Sequence, residues 1–356
     1  MGSKTTLADI AESMGLSVAT VHRALTGQGR INEDTKQRIL QRAAEMQYQP
    51  NVIASHLSSK RKSKIAFLCP DNFFYQNIIE GAKAAYNEYR IFGLSIDFLL
   101  ADNYSPQIQS EQLTEIINQH SYDAIALSPT HTLLLDPLVE AATKQGIPVV
   151  TFNNDLPNSS RSCFVGENAY ISGQLAAQLY CSILPKGSSV ALMRSLVSAE
   201  GLTQRIHGFL DYIQRQSDIQ VAGVYDFYDN IENAYEISKQ LLLSTKIPAI
   251  FSNSMMGTIG IARAISELQS NTFVLGYDIN EEIEEYIRRQ VLFGSFFQFP
   301  YRQGYYTIKV LYKLLKENAL TLDTNVLYLP TQLILKTNLS QINDDKIMQT
   351  MEVQRY

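Results

Sequence analysis

The chain has 356 residues, of which 45% are hydrophobic and 18% charged, which suits a soluble globular protein built from two or more units. The sequence contains no uninterrupted apolar run near 18 residues, so we expect no membrane span. The opening residues, MGSKTTLADIAESMGL, lack the apolar core and cleavage site of a secretory signal, and we therefore expect a cytoplasmic protein.

The charge is divided unevenly along the chain. The overall net charge is -5, but residues 1–63 hold nine Lys or Arg and five Asp or Glu, a net +4. The remainder holds 21 and 30, a net -9. A small basic end on a larger acidic body predicts that one end of the protein attracts phosphates while the body stays away from them.

The first two predicted helices are joined by a short turn that contains glycine. Thr6 can cap the first helix, with Asp9 completing a capping box, and Gly15 ends it. Ser17 can cap a second helix with the sequence VATVHRAL. Its apolar face turns inward and leaves four side chains outward: Val18, Ala19, His22 and Arg23. This spacing is that of a helix-turn-helix unit, and a third helix is predicted to begin after Asn32.

From Lys64 onward, short apolar runs alternate with amphipathic helical stretches. Such alternation predicts parallel sheets built from right-handed crossovers. The number of units is too large for one compact sheet, so we predict two doubly wound lobes. The apolar runs are IAFLC, LSIDFLL, AIALSP, PVVTFN, VALM, VAGVYDF, AIFSNS and FVLGYD.

Polar and aromatic residues follow several of these strands. The strand ends read CPDNFFY, LSPTH, FNNDLP, FSNSMM and GYDIN. Ligands of doubly wound sheets bind beyond the carboxyl ends of the strands, where such side chains can hold hydroxyl groups and stack on apolar faces. The sequence therefore predicts a site for a small polar ligand. Three scattered cysteines, Cys69, Cys163 and Cys181, predict buried reduced thiols rather than a metal site, and we expect no cofactor.

The segment TLADIAESMGLSVATVHRALTGQGRINEDTKQRILQRAAEMQYQPNVIASHLSS closely resembles the DNA-binding head and hinge of the lac repressor (LacI/GalR) family. The rest resembles that family's sensor, a periplasmic-binding-protein-like domain of the ribose-binding type. The resemblance implies an all-α helix-turn-helix head followed by a two-lobed type I α/β domain. The implied bounds are 1–50 for the head, 51–63 for the hinge helix and linker, 64–340 for the sensor and 341–356 for a tail. Within the sensor, the first lobe would span about 64–164 and 295–323, and the second about 165–294 and 324–340.

The resemblance also implies which residues contact DNA. Val18 and Ala19 would meet base edges in the major groove, and Arg23 would reach a guanine or a phosphate. His22 departs from the serine usual in the family, which leaves that contact and the operator sequence open, and a solvated surface histidine is the alternative. Leu57 would enter the minor groove from a hinge helix or, alternatively, pack in a linker. The remaining implied contacts, most of them to phosphates, are Thr6, Ser17, Thr20, Thr26, Arg30, Asn51 and Ala54.

Ten residues of the sensor are implied as ligand contacts by the same resemblance: Asn72, Phe74, Tyr75, Asn153, Asn154, Arg205, Asn253, Ser254, Asp278 and Gln298. Asn153 and Asn154 stand where ribose-type proteins carry Asp and Arg, and Ser254 and Met255 stand where relatives carry Asn and Asp. These departures make ribose itself an unexpected ligand. The alternatives are that the Asn and Asp residues cap loops, and that Arg205 and Asp278 form a structural ion pair.

The function expected from these features is ligand-responsive repression of carbohydrate genes. We expect a homodimer on a near-palindromic operator, released by a sugar or cyclitol. An enzyme is not expected, because the sequence shows no GxSxG, Walker or HExxH motif. An exported transport receptor does not fit the DNA-binding head. A corepressor response, activation, or control of a vestigial cleft by a protein partner remain alternatives.

Overall fold

The computed structural model describes residues 5–26, 31–46, 48, 62–102, 105–197, 199–216 and 218–342, with residues 26, 102 and 216 described by their backbone alone. The chain divides into two compact units, one ending at Arg61 and the other beginning at Lys62. Within the described residues, no helix combines the length and the apolar character that crossing a membrane requires.

The first unit is a bundle of short helices, α1 (Leu7–Met14), α2 (Val18–Thr26) and α3 (Glu33–Glu45). Gly15 ends α1 with a φ of 63°, a conformation that glycine adopts without strain. The core of the bundle consists of the buried side chains Ile10, Ala11, Val21, Ala24, Ile39 and Ala43. The predicted all-α helix-turn-helix head is confirmed.

The second unit contains two six-stranded sheets, as predicted. The strands of the first sheet are all parallel and lie in the spatial order β11-β5-β4-β3-β1-β2. They are β1 (Ser63–Asp71), β2 (Leu94–Asp102), β3 (Ala124–Leu127), β4 (Val149–Phe152), β5 (Cys163–Glu167) and β11 (Val326–Leu329). Because β2 and β3 lie on opposite sides of β1, the strand order reverses there, and a crevice forms at the carboxyl ends of the strands.

The second sheet repeats this arrangement, in the order β12-β10-β9-β8-β6-β7. Its one antiparallel pairing joins β10 to β12 at the sheet edge. The strands are β6 (Ser189–Ser195), β7 (Gln220–Phe227), β8 (Ala249–Ser252), β9 (Phe273–Tyr277), β10 (Gly294–Phe297) and β12 (Gln332–Leu335). Most of these strands are buried on both faces, which explains their continuous apolar runs.

Helices cover both faces of each sheet. Those on the first sheet are α4 (Phe73–Tyr89), α5 (Pro106–Gln119), α6 (Thr132–Lys144) and α12 (Pro300–Glu317). Those on the second sheet are α7 (Ala169–Ile183), α8 (Glu200–Gln216), α9 (Ile231–Ser244), α10 (Met255–Leu268) and α11 (Glu281–Arg288). Two short 3-10 turns, Arg90–Phe92 and Leu339–Gln341, complete the described elements.

The chain crosses between the lobes at places that differ from the predicted lobe bounds. β5 pairs with β4 as far as Val165, and β11 pairs with β5, so residues 165–167 and 326–329 belong to the first lobe. β10 pairs with β9 and β12, so residues 294–297 belong to the second. The predicted bounds were wrong here because strand pairing is long-range, and the amphipathic pattern of the local sequence does not specify the partner.

Glycine allows two helices of the second lobe to approach closely. A Cβ atom added at Gly173 of α7 would lie 2.1 Å from the carbonyl oxygen of Arg205 on α8. One added at Gly208 would lie 2.0 Å from the carbonyl oxygen of Tyr170. The backbones of α7 and α8 therefore touch, and this contact fixes the position of Arg205 relative to β5.

Candidate functional site

The N-termini of α1 and α2 are capped as the sequence predicts. The Thr6 hydroxyl accepts a hydrogen bond from the Asp9 amide (3.3 Å), and the Asp9 carboxylate accepts one from the Thr6 amide (2.8 Å). The Thr6 hydroxyl also donates to the Asp9 carboxylate (2.9 Å), and the two bonds that this carboxylate accepts from Thr6 lower the pKa of Asp9. Ser17 accepts a bond from the Thr20 amide (3.2 Å), which fixes the start of α2. The capping places residues 17–19 at a helix N-terminus, an end that attracts phosphate.

The outward face of α2 carries the residues predicted to contact base edges. Val18 is 47% exposed, although it is apolar, and Ala19 and Arg23 are also exposed. Arg23 Nε donates to the Ala19 carbonyl (3.2 Å), so the guanidinium lies along the helix surface. His22 and Thr20 are half-buried. An exposed apolar residue at the first position of a helix is suited to contact a thymine methyl group.

Some predicted DNA contacts cannot be placed. Arg30, Asn51, Ala54 and Leu57 lie outside the described residues, as does the side chain of Thr26. The predicted hinge at 51–63 is therefore described only from Lys62, and the predicted tail at 341–356 only as far as Ile342.

A cavity lies between the lobes at the carboxyl ends of the strands. The space between its walls amounts to about 490 Å³, including the part that opens to solvent. The lining residues are Phe74, Asn153, Asn154, Ala199, Gly201, Leu202, Arg205, Asp229, Ser254, Met255, Met256, Asp278 and Gln298.

Arg205 forms a buried ion pair with Glu167 rather than with Asp278. Its Nε and Nη2 atoms lie 2.6 and 2.5 Å from Glu167 Oε1, and Thr331 donates to the other carboxylate oxygen at 2.9 Å. The guanidinium also lies over the Tyr277 ring, 4.3 Å from its centroid. Burial alone would lower the pKa of Arg205, but the charges of Glu167, Tyr277 and Asp278 and the hydrogen bond to Glu167 together outweigh burial and raise the pKa. Arg205 is thus a fixed cation.

Asp278 is joined to the first lobe by a chain of side-chain amides. Gln298 Nε2 donates to both carboxylate oxygens of Asp278, at 2.9 and 3.2 Å. The Oε1 atom of Gln298 accepts from Asn153 Nδ2 (3.3 Å), and Asn153 also donates to Gln303 (3.2 Å). Tyr75 then donates to Asn153 Oδ1 (3.1 Å). A change at Asp278 can therefore be transmitted to the first lobe through these bonds.

Asn153 and Asp278 occupy corresponding positions in the two lobes. Asn153 follows β4 and Asp278 follows β9, strands with the same place in their respective sheets, and each has a φ of 62°. Asn and Asp tolerate this left-handed conformation better than other non-glycine residues. The turn directs each polar side chain into the space between the lobes, where both line the cavity.

Two acids of the cavity hold their protons more tightly than usual. Burial raises the pKa of Asp278 to about 7, although Arg205 and the Gln298 amide act in the opposite direction. Burial likewise raises the pKa of Asp229, against the hydrogen bond from Ser254 Oγ (2.7 Å). No group of three or more His, Cys, Asp or Glu among the described residues could hold a metal ion.

Both units match known families. Residues 65–319 match the periplasmic binding protein domain, and residues 6–51 match the bacterial regulatory proteins of the lacI family. The first match covers well over half of the chain, and the second coincides with the helix-turn-helix unit. The chain belongs to the lacI family of bacterial regulatory proteins.

Curated proteins and solved structures are similar to this chain over most of its length. The ribose operon repressor of Bacillus subtilis (strain 168) is 28% identical over 77% of this chain and 81% of its own length. The regulator DegA of the same organism is 28% identical over 73% and 77%. A solute binding protein from Burkholderia graminis, solved with D-arabinose, superposes with a TM-score of 0.73 at 20% identity, over 80% of this chain and 98% of its own. That likeness shows the two-lobed fold.

Seven of the ten sensor residues singled out in the lacI-family comparison line the cavity, and three do not. Asn72 caps α4, where its Oδ1 accepts from the amides of Phe74 and Tyr75. Tyr75 is fully buried, and its hydroxyl hydrogen-bonds to Ser128 (2.8 Å) behind Asn153. Asn253 uses both ends of its amide on the backbone of Ser195 and Leu202. These three side chains support the residues that line the cavity but do not line it themselves.

Sequence reasoning missed other residues of the lacI-family cleft. Glu167 ends β5, and Asp229 lies two residues beyond β7, so the strand-end argument could have found both had it been applied to those strands. Leu202 carries no such signal, because its apolar side chain at the start of α8 is indistinguishable from a core residue. Met255 and Met256 lie in the strand-end segment FSNSMM, but their side chains are apolar and were not counted as ligand contacts.

Proposed function

We propose that this protein is a repressor of carbohydrate-utilisation genes that leaves its operator when a sugar or cyclitol binds in the cleft. One observation carries the proposal: a capped helix-turn-helix unit and a cavity lined by amides, carboxyls and Phe74 occur in one chain. The ribose repressor relative and the D-arabinose complex of the fold relative support a sugar as the effector.

One DNA-binding head offers few contacts to bases, because its α2 helix is short. Specific binding would therefore require two heads, and hence a dimer. We infer a homodimer on a near-palindromic operator with half-sites about one helical turn apart. Residues 51–63 would act as the hinge that carries the lobe orientation to the heads, with Leu57 entering the minor groove. The protein would act in the cytoplasm and without catalysis.

The Asp278–Gln298–Asn153 chain supports a route for the response. A sugar hydroxyl that donates to Asp278 competes with the Gln298 amide for the same carboxylate oxygens. Gln298 is then released from its present geometry with Asn153, and the preferred separation of the lobes changes. Coupling of this kind is reciprocal, so operator DNA must change sugar affinity by the factor with which sugar changes operator affinity.

The test begins by selecting an operator with the full-length chain from random duplex DNA. Operator affinity is then measured by anisotropy across a panel of pentoses, hexoses, cyclitols and sugar phosphates. We expect at least one to weaken binding, Asp278→Ala to remove that response while retaining operator affinity, and Asp226→Ala, at a surface ion pair with Arg194, to retain both. Operator affinity that rises with a sugar would instead indicate a corepressor. No response and no thermal shift with any compound would indicate control by a protein partner.

A further inference from the structure

Asp229 places a second carboxyl group in the cavity. It lies between the end of β7 and the start of α9, with a φ of 49°, and it lines the cavity opposite the residues of the first lobe. Its Oδ1 atom accepts a hydrogen bond from Ser254 Oγ at 2.7 Å. Because a carboxylate can accept about four hydrogen bonds, Asp229 retains acceptor capacity on the cavity side.

The charges around the cavity do not balance. Among the described residues that line the cavity, Arg205 is the one cation, and Glu167 already pairs with it at 2.5 Å. Asp229 and Asp278 are therefore two acids without a cation of their own, and the first lobe adds only the amides of Asn153 and Asn154. Burial disfavours the charged form of both acids. A cation brought by a ligand would remove that penalty.

We propose that Asp229 is a ligand-binding residue and that the cleft selects an amino-substituted polyol, an amino sugar or aminocyclitol, whose ammonium group binds between Asp229 and Asp278. The proposal rests on the proposed function, because it names the class of effector for the same cleft. A ligand with hydroxyl groups alone could form hydrogen bonds with these acids but would bring no positive charge to stabilise their ionised forms. Anionic ligands such as uronates and sugar phosphates are disfavoured, because they place a further negative charge beside two acids that have no cation of their own.

The two sides of the cavity then have different roles: the first lobe contributes a neutral wall (Phe74, Asn153 and Asn154) and the second lobe an acidic wall (Asp229 and Asp278). Phe74, half-buried, offers a ring face for the apolar side of the ligand, and the Asn153 and Asn154 amides can contact hydroxyl groups. The ammonium group is recognised by the acids of the second lobe alone. The preference for an amine over its neutral parent should therefore depend on Asp229 and be independent of changes elsewhere on the surface of β7.

The experiment compares three matched ligand series by titration calorimetry at neutral pH. The gluco, galacto and manno series each supply a 2-amino sugar, its neutral parent and its uronate. The full-length chain is compared with Asp229→Asn and with Asp226→Asn, a matched control three residues earlier, where Asp226 of β7 forms an exposed ion pair with Arg194 of β6. We expect the best amine to bind at least about tenfold more tightly than its parent. In Asp229→Asn that ratio should fall close to one, and in Asp226→Asn it should be unchanged.

Each outcome has a defined meaning. A neutral sugar or uronate that binds as well as its amine in the unmodified chain overturns the amine proposal, and so does a ratio that survives Asp229→Asn. If a neutral sugar nevertheless releases operator DNA, the proposed function stands while this inference fails. If no member of the three series binds, this inference is overturned, while the proposed function is decided by the wider panel of pentoses, hexoses and cyclitols. Affinity of Asp229→Asn for the neutral parent, together with its thermal unfolding, shows that the variant is folded.

Discussion

The two walls of the cleft are built on equivalent strand ends, yet they differ in charge. The first lobe contributes Phe74, Asn153 and Asn154, which are neutral, whereas the second contributes Arg205, Asp229 and Asp278. Neutral amides adapt to several hydroxyl arrangements at little cost, but buried charges demand defined partners. On the proposed function, the second lobe would set ligand identity, while the first lobe would sense that a ligand has been bound.

The largest effect is expected from breaking the buried ion pair between Arg205 and Glu167. Arg205→Met leaves Glu167 buried without its partner and should lower the free energy of unfolding by about 3–5 kcal/mol. Urea unfolding measures the loss. The double variant Arg205→Met/Glu167→Met should recover most of it, because it removes both charges. A single variant as stable as the unmodified chain would contradict the fixed-cation role of Arg205.

Asp278 should make stability depend on pH. Its pKa is raised by burial from 3.8 to about 7, so between these values the folded state binds more protons than the unfolded state. The free energy of unfolding should therefore fall as pH rises through this window, by at most about 1.4 kcal/mol per pH unit. Urea titrations from pH 4 to pH 7 check this. In Asp278→Asn the fall should be smaller, and an unchanged slope would show that Asp278 is not its source.

A smaller loss is expected from the helix contact that fixes Arg205. In Gly173→Ala the new Cβ meets the Arg205 carbonyl, so α7 and α8 must separate at a cost of about 1–3 kcal/mol. The matched control is Gly81→Ala in the first lobe, where the new Cβ would lie 1.9 Å from the Tyr301 carbonyl oxygen. Thermal unfolding should show a loss in both variants. Effector affinity should fall more in Gly173→Ala, and equal falls would contradict separate roles for the walls.

The sequence predicts the fold well because its signals are local. Capping by Thr6 and Asp9, the end of α1 at Gly15 and the continuous apolar runs each follow from neighbouring residues. The assignment of β10 and β11 to lobes could not be predicted in this way. β11 belongs to the first lobe because it pairs with β5, more than a hundred residues earlier in the chain. β10 belongs to the second lobe, where it pairs with the edge strand β12.

Site residues could be predicted where a polar residue directly follows a strand. They could not be predicted where the role of a side chain depends on a hydrogen-bond or ion-pair partner that is distant in the sequence. Asp278 and Asn153 stand at the polar strand ends and were implied as ligand contacts by the family resemblance, and both line the cavity. Asn253 also follows a strand, but its side-chain amide is hydrogen-bonded to the backbone of Ser195 and Leu202 and does not line the cavity. The partner of Arg205 could not be assigned from sequence, because Glu167 and Asp278 both lie at the carboxyl ends of strands and the choice between them depends on the tertiary structure, which pairs Arg205 with Glu167.

The smallest effect is expected on the neutral wall. Asn153→Ala removes the bonds to Gln298 and Gln303 and should lower the free energy of unfolding by about 1 kcal/mol. Asn72→Ala, which removes the cap of α4 in the same lobe, should cost about as much. The two variants separate a structural role from a sensing role. Of the two residues, only Asn153 is connected to Asp278 by hydrogen bonds through Gln298. Asn153→Ala should therefore reduce the change in operator affinity that a saturating effector produces, whereas Asn72→Ala should not. Equal responses in the two variants would mean that the first lobe does not sense the ligand through Asn153.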